Sequence, residues 1–196
     1  MHLLASEIAL LEEKAEAVDL AQSPAEIVVL SFSDGDLAAL AEAWSLDADN
    51  LPTLRLASLK KLRHPMSVDL YIDSVVAKAS AVVIRCLGGL DYWRYGLERI
   101  AEVARSRGIL LAALPGDDRP DARLSPLSTI GVDLLEELDA CLRDGGAANA
   151  GLVLRTLASQ LGYAVAPGKP RPLGAISGML SSGEAIGVSD LETAAD

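Results

Sequence analysis

The run Ala81-Val82-Val83-Ile84-Arg85-Cys86, passing straight into Leu87-Gly88-Gly89-Leu90-Asp91, decides how the chain folds. Its first four residues are all apolar, so the pattern predicts a strand buried on both faces, as in a parallel sheet. The two glycines then free the backbone for a tight turn. From Tyr92 to Arg107, the residues Leu97, Ile100, Ala101, Val103 and Ala104 line one helical face, which Gly108 ends. Ile109 to Leu114 follows as the next buried strand, and the loop from Pro115 to Asp121 cannot continue it. Strand, glycine turn, helix and strand make up the unit of an α/β chain with a mostly parallel sheet.

The same alternation extends in both directions. Met1 to Ala5 reads as a first strand and Glu26 to Ser31 as a clearer one. Ser33-Asp34-Gly35-Asp36 supplies the turn and cap for a helix from Leu37 to about Trp44. Leu54 to Ala57 is a further strand. Ser67 to Ala79 has helical spacing, with Ser67 expected at its N-cap. Two helices, about Val132 to Leu142 and Ala148 to Leu161, join at Asp144-Gly145-Gly146. From Ala166 onward Pro167, Pro170 and Pro172, then Gly174, Gly178, Gly183 and Gly187, read as a linker or loosely ordered tail. The expected organisation is an α/β domain over 1–163 and a Pro/Gly-rich tail over 164–196.

Composition narrows the class of function. Of 196 residues 51% are apolar and only 4% aromatic, so a core of Ala, Leu, Val and Ile is expected, and an acidic disordered tail is excluded. The formal charge of -11 is unevenly spread. Residues 1–50 hold one Lys against eleven acids, residues 51–110 ten basic against five acidic groups, and residues 111–196 six against twelve. The basic middle can face an anionic ligand or an acidic protein surface. The overall sign argues against nucleic acid as a partner, because phosphate binding draws on clustered cations.

Cys86 and Cys141 stand alone and suit a reducing compartment. The start Met1-His2-Leu3-Leu4-Ala5-Ser6-Glu7 has no basic residue before its apolar stretch and does not read as a secretory signal. No apolar run reaches membrane-spanning length. The chain is expected to be soluble and cytoplasmic, with no membrane partner.

In an open parallel sheet, ligands gather beyond the carboxyl ends of the strands. Those ends carry Ser33 to Asp36, Lys60 to His64, Gly88 to Asp91 and Gly116 to Asp118. The Gly88-Gly89 turn ahead of a helix has the outline of an anion-binding turn. There is no G-x-G-x-x-G and no P-loop, so the chain is not expected to hydrolyse ATP alone. Asp34, Asp36, Asp117 and Asp118, with Asp91, could form a receiver-like acidic pocket or hold a hard cation. Against the receiver reading, Leu110 to Gly116 lacks the lysine it needs. Each loop is otherwise the cap or turn that its connection requires. His64 is a lone loop histidine, open to a binding or a capping role. Tyr92, Trp93 and Tyr95 gather three of seven aromatics, for stacking on a planar ligand or for burial.

Three stretches carry a family resemblance: Leu62-Arg63-His64-Pro65-Met66-Ser67-Val68-Asp69-Leu70-Tyr71, then Arg85-Cys86-Leu87-Gly88-Gly89-Leu90-Asp91-Tyr92-Trp93-Arg94-Tyr95-Gly96, then Leu114-Pro115-Gly116-Asp117-Asp118-Arg119-Pro120-Asp121. In wording, order and spacing they resemble the N-terminal part of the large (CobN-type) subunit of aerobic cobaltochelatase, in a group that includes the magnesium chelatase large subunit. The resemblance runs from Met1 to about Pro172. The pattern of elements reads as a flavodoxin-like or related, doubly wound α/β domain, and the resemblance implies that it takes part in ATP-dependent insertion of cobalt(II) into hydrogenobyrinic acid a,c-diamide during cobalamin biosynthesis.

The resemblance implies that the large subunit binds tetrapyrrole and metal while AAA+-type partners hydrolyse ATP, so cobalt(II), ATP and Mg2+ belong to the full complex. No cofactor is expected on this chain alone. The family motifs fall on His64, Arg85, Gly88, Gly89, Tyr92, Trp93, Arg94, Asp117 and Asp118, the expected substrate- or partner-binding residues, with no catalytic residue assigned. Family subunits are several times longer, and Leu173 to Asp196 is unlike their continuation. A truncated, split or frame-disrupted copy, inactive without the rest of the large subunit, is therefore expected. The competing reading is a stand-alone interaction or receiver-like regulatory domain without catalysis.

Overall fold

The computed structural model describes residues 16–168 together with two short strands near the C-terminus. The strand expected at Met1 to Ala5 lies outside the described residues. In chain order the elements are β1 (Ile27–Ser31), α1 (Asp34–Leu46), β2 (Leu54–Ser58), α2 (Pro65–Ser74), β3 (Ala81–Cys86), α3 (Arg94–Arg107), β4 (Leu110–Pro115), α4 (Val132–Asp144) and α5 (Gly146–Gln160). Within the expected tail, Ser177–Met179 and Ala185–Gly187 pair antiparallel as β5 and β6.

The four long strands form one all-parallel sheet in the order β2-β1-β3-β4. Helices cover both faces, which makes the fold flavodoxin-like and doubly wound. Val28, Leu30, Val82, Ile84 and Leu111 point to one face, where Tyr71 and Ile72 of α2 and Leu97 and Ile100 of α3 meet them. Ile27, Val29, Val83 and Ala112 point to the other, against Leu40 of α1, Leu138 of α4 and Leu154 of α5. Residues 27 to 31 and 81 to 86 are buried throughout. That double burial is why their sequences run apolar without alternation.

Both sheet edges are partly occupied by local chain. Along β4, Leu111 donates its amide to Thr129 Oγ1 at 2.7 Å and Ala113 to Ser128 Oγ at 2.9 Å. Beside β2, Gln22 Nε2 donates to the Leu56 carbonyl at 3.0 Å. Such caps satisfy groups that an edge strand leaves open.

Several expected boundaries move, and α1 already begins at Asp34 rather than Leu37. The helix after residue 64 starts at Pro65, with His64 as its N-cap: His64 Nδ1 accepts the Met66 amide at 3.1 Å. Proline at the first helical position has no amide to satisfy, which fits this start. Ser67 therefore lies inside the helix, where its Oγ accepts the Val18 amide at 2.7 Å. The helix ends at Ser74, and a separate 3-10 turn spans Val76–Lys78. Likewise Leu90–Tyr92 is a 3-10 turn, and α3 begins only at Arg94. Pro115 is the last residue of β4, paired with Cys86, where a proline ends the ladder.

Candidate functional site

The strand order reverses between β1 and β3, β2 being added on one side of β1 and β3 on the other, so the switch point lies at Ser31 and Arg85, which are paired in register. Arg85 Nη1 donates to Asp36 Oδ1 at 2.8 Å, and Ser31 Oγ donates to Asp36 Oδ2 at 2.8 Å. Asp36 sits in the first turn of α1, where a carboxylate also complements the helix dipole. Ser33 caps that turn by accepting the Asp36 amide at 3.2 Å. Arg85 is 8% exposed. The switch point thus carries an ion pair between buried Arg85 and partly buried Asp36, and loss of Asp36 would strand the guanidinium charge.

Toward β2 the edge is open and basic. Lys60, Lys61 and Arg63 line a cleft of about 490 Å3 with Val18, Leu20 and the acids Glu16 and Asp19. Lys60 reaches Asp34 at 2.7 Å across an exposed surface, a contact worth little to stability. Arg63 lies 6.0 Å from the Tyr92 ring centroid, and its Nη2 donates to Tyr92 Oη at 3.3 Å. The same ring makes an edge-to-face contact with Phe32, centroids 5.0 Å apart. Tyr92 is held as a half-buried plate with a guanidinium beside it.

Gly88 and Gly89 both have positive φ, 77° and 74°, as the tight turn requires. Their neighbourhood is already supplied with anions. Asp117 Oδ2 accepts the Gly88 amide at 3.3 Å, and Asp121 Oδ2 accepts the Leu90 amide at 3.0 Å. A Cβ at Gly89 would lie 2.5 Å from Asp121 Oδ2, so glycine is needed for the approach as well as for φ. Hydrogen bonds from Arg123 hold the Asp121 carboxyl well below the usual carboxylate range. Arg123 also reaches Asp91 at 2.8 Å, and Arg94 pairs with Asp91 and Glu98. Beneath the loop the Cys86 thiol donates to the Gly89 carbonyl at 3.2 Å. Burial, followed by the charges of Asp117 and Asp121, pushes that thiol up to about 12, which leaves it protonated and unreactive at neutral pH.

The sequence-predicted residues therefore separate. Arg85 pairs with Asp36 at the switch point, Tyr92 stands beside Arg63 of the basic cleft, and His64 caps α2. Gly88, Gly89 and Asp117 form one clamped loop, and Arg94 belongs to the adjoining ion-pair chain. Asp118 lies near Arg143, whose cationic form it helps to hold. Trp93 takes the buried alternative: it is 2% exposed and its Nε1 donates to the Leu62 carbonyl at 2.7 Å. Its ring packs so closely on Gly96 that a Cβ there would come within 2.3 Å of it. Asp34, Asp36, Asp117 and Asp118 do not converge, since each of the first three has a different partner. Among the described residues no three acidic, histidine or cysteine side chains gather as a metal site.

Sequence reasoning missed Asp121 and Ser31 as organisers of these loops. Asp121 was legible only as the last letter of the third motif, and Ser31 only as the lone hydroxyl ending an apolar strand. No described helix is long and apolar enough to cross a membrane.

The class defined so far is a flavodoxin-like α/β domain with an Arg85–Asp36 ion pair at its switch point and a basic, aromatic rim beside it. No family model matches the chain. It is 41% identical over 173 residues to the aerobic cobaltochelatase subunit CobN of a Sinorhizobium species, covering 88% of this chain and 14% of that protein. It is 43% identical over 160 residues to the Pseudomonas aeruginosa subunit of the same name, covering 82% and 13%. Among solved structures, the catalytic subunit of cobaltochelatase from Mycobacterium tuberculosis superposes with a TM-score of 0.62 at 25% identity, over 79% of this chain and 12% of that one. The chain belongs to the CobN-type cobaltochelatase family, and it spans about one seventh of the length of the curated relatives it matches.

Proposed function

We propose that this chain is the N-terminal α/β portion of an ATP-dependent cobaltochelatase large subunit, and that its basic rim forms one wall of the site for hydrogenobyrinic acid a,c-diamide. The observation that carries this reading is the cleft of Lys60, Lys61 and Arg63 beside the Tyr92 plate, in a family member. A tetrapyrrole bearing several carboxylates needs cations at its periphery and a flat apolar contact for its ring edge, and this rim offers both.

Metal insertion requires an enclosing cleft that strips the metal of water, and one domain supplies only a wall of it. Cobalt(II) and ATP are handled elsewhere in the complex, the latter by AAA+-type partners in keeping with the missing P-loop. Titrating the purified chain with hydrogenobyrinic acid a,c-diamide, and following tetrapyrrole absorbance with protein fluorescence, tests the reading. Binding weakened about tenfold or more by Lys61→Glu with Arg63→Glu is expected. A silent titration together with direct binding to the AAA+ subunits would overturn the wall and make the domain a docking module.

A further inference from the structure

At the opposite edge of the sheet from the basic cleft, β4, the loop after it and α4 enclose an apolar groove of about 270 Å3. Leu114 and Pro115 of β4, Pro120 and Leu124 of the loop, and Val132 and Leu135 of α4 line it. Leu124 and Leu135 are buried, while Val132 is 58% exposed at the groove mouth. The volume suits one large aliphatic or aromatic side chain, not a cofactor. The two prolines fix the wall's backbone, so the groove is preformed and little ordering is needed on binding.

The rim is acidic. Asp121, Glu136 and Asp139 border the groove. Arg123 pairs with Asp121 and Arg143 with Asp139, while Glu136 makes no ion pair among the described residues. Between residues 117 and 144, eight carboxylates stand against three arginines. With both aspartates paired to arginines, the exposed Glu136 and the net negative charge of this stretch of chain disfavour nucleic acid and anionic lipid and favour a cationic polypeptide. This surface is distinct from the tetrapyrrole-facing rim and owes nothing to that reading.

We propose that the groove docks a cationic, apolar segment of a partner protein. One bulky side chain enters between Pro120 and Val132, and flanking Lys or Arg residues meet Glu136. The apolar anchor supplies affinity and the charges supply orientation and partner choice. The test uses a fluorescein-labelled nonapeptide with a central Leu-Leu pair flanked by arginines, and a counterpart with glutamates in their place, read by anisotropy against the purified chain. The arginine peptide should bind and the glutamate peptide should not. Two variants separate docking from bulk charge attraction. Ala122→Trp fills the groove from an exposed lining position without changing charge. Glu136→Lys inverts the rim on the solvent face of α4. Each should weaken the arginine peptide about tenfold or more, with an unchanged thermal midpoint confirming the fold. Equal binding to Ala122→Trp, equal binding of the glutamate peptide, or no binding of the arginine peptide would each overturn the proposal.

Discussion

Trp93 turns the indole of the Tyr92-Trp93-Arg94-Tyr95 cluster inward, so one aromatic run serves two purposes. Tyr92 stays at the rim beside Arg63, whereas Trp93 is sealed against Leu62 and Gly96. Sequence alone left these fates open, because adjacent residues at the start of a helix can point in either direction. Truncating a sealed tryptophan removes its buried area, opens a cavity and strands the Leu62 carbonyl. Trp93→Ala is therefore expected to destabilise by about 3–5 kcal/mol, and Tyr92→Ala by much less, since Tyr92 is only half-buried. Thermal unfolding of the two variants checks this. A Trp93→Ala protein that melts with wild type, yet binds tetrapyrrole poorly, would return Trp93 to the site.

The loop between β3 and α3 shows what two distant carboxylates do for one element. Asp117 and Asp121 accept amides 29 and 31 residues away in sequence, so the glycine turn is clamped by the loop that follows β4. Asp121→Ala should leave the amide of the buried Leu90 unsatisfied at a cost of about 1–3 kcal/mol. Asp121→Asn keeps a carbonyl acceptor and should recover part of that loss. Hydrogen exchange at residues 88–90 should rise in Asp121→Ala more than in the strands. A uniform rise across β1 and β3 instead would mean that Asp121 supports the whole core, not the turn. These contacts explain what was legible and what was not. Strands such as Ile27–Ser31 and Ala81–Cys86 announce themselves, because burial on both faces forces unbroken apolar runs. The glycines announce a turn, and Gly108 a helix end. The partners of the charged residues do not announce themselves: Arg85 and Asp36 are 49 residues apart, and only the sheet register joins them. The start of α2 hid for a local reason, since an imidazole in place of a serine or aspartate does the capping.

At the scale of the molecule the sheet is common to both cores. Each of its two central strands gives alternate residues to opposite faces: Val28 and Leu30 to the α2–α3 side, Ile27 and Val29 to the α1–α4–α5 side. Stripping helices from one face would expose half of every strand, so neither layer should persist without the other, and one cooperative transition is expected for the domain. The two tryptophans happen to report the two faces. Trp93 belongs to the α2–α3 core, while Trp44 packs against the other and donates its Nε1 to the Pro52 carbonyl at 2.9 Å. Trp44→Phe leaves a probe on the first face and Trp93→Phe leaves one on the second. Within each variant the urea midpoint by fluorescence should coincide with that by far-ultraviolet circular dichroism, even where Trp93→Phe lowers both. If the Trp44 signal were lost at a midpoint more than about 0.5 M below the circular dichroism transition of the same variant, the α1–α4–α5 layer would be a separable unit. The sheet would then not couple its two faces, and the groove bordered by α4 would belong to a part of the molecule able to open independently of the basic rim.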